Sequence, residues 1–400
     1  MKSDRIAALV VTVAWAWLAA AAPPDAGPAP VAAPAKPGAF GQERIFAFVY
    51  QQEQNAKDQK AANFTHSRDW RYWAARGGVA ATAKTWFDVL RDTTVEQGAA
   101  VLAGLDYGDN PRPVLAIDEF GFDYGGETDQ KSAQILRALR ARKPQLGIAV
   151  YQMRGPAGPA LAEAYGLAAD LVMIEAYVGS AADYWQIALP LMAAKFGGLE
   201  RKSIAVLGLG VGGQPGERWA ATCAEVEQQV RFARRLAPDA PGMGFYGGDK
   251  QPELLACADQ LCRRFSELSP DGAGLDAKAR EMADAFVGNF QEPVLACSPI
   301  YVEPNRGFKN PSDLVQPVTF RVFLLNLGRD EARGVKVRLR NPPEQGGNVF
   351  AAGEAARVPG RSSLVAVLPI TEPGSPWKVW KTWKLELEAP GCRILVFPRE

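Results

Sequence analysis

The side chains best placed for proton transfer lie in two short stretches. In Pro113–Gly125, PVLAIDEFGFDYG, an apolar run from Val114 to Ile117 ends in Asp118 and Glu119, and Asp123 follows one glycine-containing turn later. In Asp170–Tyr177, DLVMIEAY, a second apolar run ends at Glu175 and Tyr177. One protonated and one ionised carboxyl over a common cleft can divide the work of acid and of nucleophile or base. On an extended strand Leu115, Ile117 and Glu119 point one way and Asp118 the other, while Met173, Glu175 and Tyr177 share a face. That parity predicts Glu119 as general acid with Glu175 as its partner. Asp118, Asp123, Gln152, Tyr177 and Tyr246, with Tyr50 and Gln51 at the end of an earlier strand, are predicted to orient a substrate or tune the acids. Ion pairs with arginines near the loops are the alternative for Asp118 and Glu119.

Other chemistries find little support. The chain has one histidine, His66, so a Ser-His-Asp site would have to use it and a histidine-rich zinc site is excluded. Between Thr65 and Ser67 it reads as a polar residue of a loop or an early helix turn. Gly208, Gly210 and Gly213 fit GxGxxG, but Gln214, Pro215 and Gly216 postpone the helix and the next strand ends in Tyr246 rather than an acid. A glycine-lined rim is expected there in place of a nucleotide site. No metal and no organic cofactor is predicted. A net charge of +1 favours neither nucleic acid nor an anionic membrane surface.

The elements that must position these residues follow from the apolar periodicity. Met1–Ala22 has the charged start, apolar stretch and small-residue end of a secretory signal, which predicts a secreted or periplasmic protein with no membrane span after cleavage; an N-terminal anchor is the rival. An Ala/Pro-rich linker is expected over residues 23–43, with Pro23–Phe40 a disordered tether. Arg44–Tyr50, RIFAFVY, is apolar on both faces, as a central parallel strand is. Asn63–Trp73, NFTHSRDWRYW, reads as a loop or short helix whose Trp70, Tyr72 and Trp73 line a ligand site or pack at an edge. A short strand is read at Gly78–Ala81 and helices over Thr82–Leu105. Strands at Leu146–Gln152, Asp170–Tyr177, Ser203–Leu209 and Gly242–Tyr246 then alternate with helices at Thr128–Arg142, Pro159–Gly166, Ala181–Phe196 and Arg218–Leu236. Repeating strand and helix over residues 44–290 predicts a (β/α)8 TIM-type barrel, with an open doubly wound sheet as the alternative.

After Pro293 the period changes. Val294–Val302, Val318–Leu325, Gly334–Arg340, Ser363–Ile370, Thr382–Glu388 and Cys392–Phe397 read as strands, which makes residues 291–400 a small all-β sandwich. Trp377, Trp380 and Trp383 form a carbohydrate platform or, by their alternation, pack inside. Five cysteines in an exported chain allow two pairs. Cys297 and Cys392, near the first and last strands of the sandwich, are expected to meet, leaving Cys223, Cys257 and Cys262 with one further pair or none.

The strand ends AIDEFG, MIEAYVG and GFYGG resemble the fourth, sixth and eighth strands of glycoside hydrolase (β/α)8 barrels over Arg44–Phe290, nearest to the chitinase-like and related retaining families. The chitinase-like families carry a DxDxE run on strand four, which this chain lacks, so substrate-assisted cleavage of N-acetylhexosaminides is not expected. Barrels with glutamates on strands four and seven do not match either, because Ser203–Leu209 holds no carboxylate. Barrels with acids on strands four and six match Glu119 and Glu175 by position, with Glu where that group has Asp. The resemblance implies cleavage of a poly- or oligosaccharide by two carboxylates. A non-catalytic envelope or carbohydrate-binding protein with a degenerate barrel is the alternative. VTFRVFLLNLGRDEARGVKVRLR, with Asn326 and Gly328 between two strands, resembles the CARDB-like sandwich, which implies a binding or spacing module.

Overall fold

Segments apolar on both faces, such as VLAI at 114–117 and LVMI at 171–174, must be covered on both sides. In the computed structural model, which describes residues 39–86, 92–121, 126–153, 155–210, 219–298, 301–303, 319–369 and 384–395, they are staves of a closed barrel. Its eight parallel strands are β1 (Ile45–Val49), β2 (Phe64–His66), β3 (Val79–Thr85), β4 (Val114–Asp118), β5 (Gly147–Gln152), β6 (Leu171–Ala176), β7 (Ser203–Leu209) and β8 (Gly242–Gly247). Pairing of β8 with β1, Gly242 opposite Ile45 through Tyr246 opposite Val49, closes the ring and excludes the open sheet.

Two apolar layers give the strands their parity. Ala47, Phe64, Val114, Ala116, Ala149, Leu171, Met173 and Val206 fill the lumen. Leu115, Ile117, Ile148, Val150 and Ile174 face outward, against helical residues such as Ile135, Leu139, Tyr165 and Phe232. Phe40 packs on the floor of the lumen with its ring 5.8 Å from that of Phe64, so the end of the predicted tether is part of the fold.

The early part of the barrel corrects the sequence reading. Phe64–His66 is a strand, not a loop, and Thr82–Thr85 extends β3 where a helix was expected. Three residues of strand are too few to show a period beside the aromatic and charged residues around them. Helix Trp70–Ala75 follows β2 and buries Trp73 completely. Trp70 lines a cleft of about 790 Å³ with Arg112, Arg140 and Asp170, at the N-terminal ends of the strands and away from the mouth.

The C-terminal strands are β9 (Val294–Cys297), β10 (Tyr301–Glu303), β11 (Thr319–Asn326), β12 (Ala332–Arg340), β13 (Val349–Val358), β14 (Ser362–Pro369), β15 (Lys384–Glu388) and β16 (Arg393–Leu395). They form a five-stranded sheet around β11 and a three-stranded sheet, β13-β12-β15, facing each other across Phe320, Val322, Leu324, Val337, Leu339 and Phe350. β13 escaped the sequence reading because VFAAGEAARV is rich in residues that favour helices. The other face of the five-stranded sheet belongs to the barrel: Val294, Ala296, Phe323, Leu325 and Leu327 share the apolar core of its helices.

Cys223 and Cys257 form a disulfide. The expected Cys297–Cys392 pair does not form. β9 and β16 run parallel with Val294 opposite Arg393, which sets the two cysteines about four residues apart along their strands. Trp377, Trp380 and Trp383, like Met1–Ala22, lie outside the described residues.

Candidate active site

The mouth is built at the C-terminal ends of the strands, where loops leave a barrel and active sites are found. On β4 the lumen row is Val114, Ala116 and then Asp118, the reverse of the parity expected for Glu119. A stave buried on both faces carries apolar residues at every position, so its sequence does not reveal which alternate set looks inward. On β6 the row Leu171, Met173, Glu175, Tyr177 faces the lumen as expected, and Glu175 is 8% exposed.

Glu119 ends the strand instead of extending its lumen face. Its backbone is left-handed, φ 53°, and its N–H donates to the carboxylate of Asp118. Tyr50, which follows β1, shares that conformation at φ 54°, and its phenol donates to the same carboxylate. Left-handed backbone is costly for residues other than Gly, Asn and Asp, and such strain concentrates at functional sites. Burial pushes the Asp118 carboxyl above the usual range, and the donors from Tyr50 and Glu119 pull it the other way.

An aromatic belt surrounds the acids. The ring of Tyr50 stands 4.6 Å from that of His66, edge-on, 5.2 Å from Tyr246 and 5.9 Å from Tyr151. Tyr177 lies 5.0 Å from Tyr246 and 5.1 Å from Trp219. Burial and the charges of Asp118 and Glu175 raise the phenols of Tyr50, Tyr151 and Tyr177, which are therefore hydrogen-bond donors across the working pH range. Burial pushes His66 down to about 3, so its imidazole is neutral, and its Nε2 lies 2.8 Å from the Tyr151 hydroxyl.

Trp219 reaches the belt because a glycine makes room for it. A Cβ on Gly208 would stand 2.7 Å from the indole. Ala220 then bonds back to Gly208 and Gly210, and a capping box of Thr222 and Glu225 starts helix Cys223–Leu236. The first two glycines of GLGVGG thus serve an aromatic wall; Gly213 lies outside the described residues.

The remaining predicted residues divide. Tyr50, Tyr177 and Tyr246 are in the belt. Gln51 follows Tyr50, and both polar atoms of its side chain are buried without a hydrogen-bond partner. Gln152 does not join the mouth: it alternates with Tyr151 onto the helix-facing side, and its amide donates to the Gly155 carbonyl. Asp123 lies outside the described residues. The sequence reading missed His66, Tyr151 and Trp219. The alternation of LGIAVYQ held a signal for Tyr151, whereas His66 and Trp219 become recognisable only once the strands are paired. Among the described residues no group of three or more His, Cys, Asp or Glu is placed to hold a metal ion, and no helix is long and apolar enough to cross a membrane.

No family model and no curated protein matches the chain. Solved structures do. A GH27 β-L-arabinopyranosidase from Geobacillus stearothermophilus is 10% identical, with 82% of this chain and 97% of that chain covered and a TM-score of 0.36. A glycoside hydrolase family 5 protein from Bacteroides vulgatus is 10% identical over 84% of this chain and 92% of that one, TM-score 0.34. Xylanase 10B from Thermotoga maritima is 11% identical over 57% and 97%, TM-score 0.35. Likenesses of this size add nothing to the architecture, which the strand pairing itself establishes.

Proposed function

We propose that the barrel mouth hydrolyses a glycosidic bond in a poly- or oligosaccharide, with Asp118 and Glu175 as the two carboxyls. The observation that carries this reading is their placement: Asp118 and Glu175 end the lumen-facing rows of β4 and β6, two non-adjacent strands of one barrel, and the charges of both raise the phenols of Tyr151 and Tyr177. Asp118 is the nucleophile or base: burial raises its carboxyl, but it accepts hydrogen bonds from both the Tyr50 phenol and the Glu119 N–H, and those two donors fix it as an acceptor at the end of the lumen-facing row. Glu175, nearly enclosed beside Tyr177, is the proton donor. Rings of Tyr50, Tyr177, Tyr246 and Trp219 suit the apolar faces of sugar rings. An exported protein, secreted or periplasmic, is supported by the Cys223–Cys257 disulfide.

The test is hydrolysis of a glycan panel by the wild type and by Asp118→Asn and Glu175→Gln. Each substitution is expected to lower turnover by roughly 100- to 10,000-fold with the fold intact. Unchanged hydrolysis in either variant removes that residue from the mechanism. Glycan binding by the wild type without hydrolysis replaces the enzyme with a binding protein.

A further inference from the structure

His66 is the chain's one histidine, and nothing in the two-carboxylate scheme uses it. We infer that His66 is a positioning residue: its imidazole fixes the Tyr151 hydroxyl and props the Tyr50 ring so that the Tyr50 phenol stays on Asp118. The inference rests on the glycosidase reading for its effect on turnover, but not for its spectroscopic signature.

The three rings form one layered contact. Tyr50, 36% exposed, is the outer member, and Tyr151 beneath it is fully buried. His66 touches both, edge-on to Tyr50 at 4.6 Å between centroids and 2.8 Å from the Tyr151 hydroxyl through Nε2. β1 and β2 are adjacent staves, so His66 supports Tyr50 from the neighbouring strand. A tyrosine at φ 54° holds a costly backbone that persists only where the surroundings over-determine it, and His66 is one of the neighbours that do.

The proton on the imidazole follows from its other nitrogen. Nδ1 is buried and has no hydrogen-bond partner among the described residues. A buried N–H left unpaired is rarer than an under-used acceptor. Nδ1 therefore carries the lone pair, and Nε2–H donates to the Tyr151 oxygen. That oxygen, already accepting, turns its own proton away from His66, toward the lumen that holds Asp118 and Glu175. Among the described residues the titratable groups facing this cluster are Tyr50, Tyr151, Tyr177, Tyr246, Asp118 and Glu175, none of them a cation.

With one histidine, an untagged protein labelled with ¹⁵N-histidine gives a single imidazole spectrum. The expected result is a neutral ring protonated at Nε2 and unchanged from pH 5 to pH 8. A ring that titrates in that range, or one protonated at Nδ1, overturns the inference whether or not any glycan is cleaved. On the hydrolysed glycan, His66→Phe is expected to lower kcat about 10-fold with KM nearly unchanged and to shift the acid limb of the pH profile upward, as Tyr50→Phe does. His66→Gln, whose amide can still donate to Tyr151, recovers part of the loss. Combining His66→Phe with Tyr50→Phe is expected to cost no more than Tyr50→Phe alone. Additive losses, or an acid limb left in place by His66→Phe, refute the positioning role.

Discussion

Two buried polar clusters, one in the sandwich and one at the barrel mouth, are built on opposite terms. At the end of β11, Asn326 uses its whole side chain on backbone groups: Oδ1 accepts from Val294 N–H at 3.3 Å and Gly328 N–H at 3.0 Å, and Nδ2 donates to the carbonyls of Asp330 at 2.9 Å and Val358 at 3.1 Å. This ties β9, β11, β13 and the turn between β11 and β12 into one knot. Gly328 is needed there because a Cβ would stand 1.9 Å from the Glu292 carbonyl oxygen. At the barrel mouth, the side chain of Gln51, His66 Nδ1 and Trp219 Nε1 are buried without partners among the described residues, and Tyr50 and Glu119 sit in left-handed backbone. A satisfied polar network helps to specify a fold, while unpaired buried groups and left-handed backbone cost stability.

That contrast can be broken experimentally. The largest effect is expected at the knot: Asn326→Ala leaves buried backbone donors and acceptors without partners and should destabilise the protein by about 3 kcal/mol or more in a denaturant titration. A loss under about 1 kcal/mol would mean that water or a local shift replaces the amide.

The second effect comes from His66 and is read from pH. Its pKa falls from 6.5 to about 3 on folding, so between those values the unfolded chain binds a proton that the folded chain does not. The stability it contributes is present above pH 6.5 and is lost as pH falls toward 3, with a slope of up to about 1.4 kcal/mol per pH unit. Comparing wild type with His66→Phe isolates this slope; identical acid unfolding in the two proteins would contradict a buried neutral ring.

The smallest effect has the opposite sign. The Asp118 carboxyl is raised on folding, so its contribution favours the folded state below its unfolded pKa and is lost as pH rises through the folded one. At neutral pH the anion is a burden, and Asp118→Asn should raise Tm by about 2 °C while lowering turnover by roughly 100- to 10,000-fold. A lower Tm would place Asp118 with Asn326 among the residues that hold the fold.

Most of the alternation from β4 to β8, and the strand character of β11 and β12, was legible in the residues. LGIAVYQ and DLVMIEAY are apolar runs too short for a helix and rich in residues that favour strands, and GVKVRLR alternates with a period of two. Glu175, Tyr177, Tyr246 and Tyr50 were legible as strand-end residues of the mouth. Parity along VLAIDE points Glu119 inward where the strand turns Asp118 to the lumen, LGIAVYQ gives no sign that Gln152 faces the helices, and the residues around His66, which read as a loop or an early helix turn, do not show its strand.

The chain's own residues therefore determined that two acids would stand at strand ends over one barrel, because burial on both faces and short connections permit little else. Which acid looks into the lumen was decided only in three dimensions. A stave covered on both sides bears no mark of its inner face, and two left-handed residues, Tyr50 and Glu119, interrupt the alternation where it would have been read.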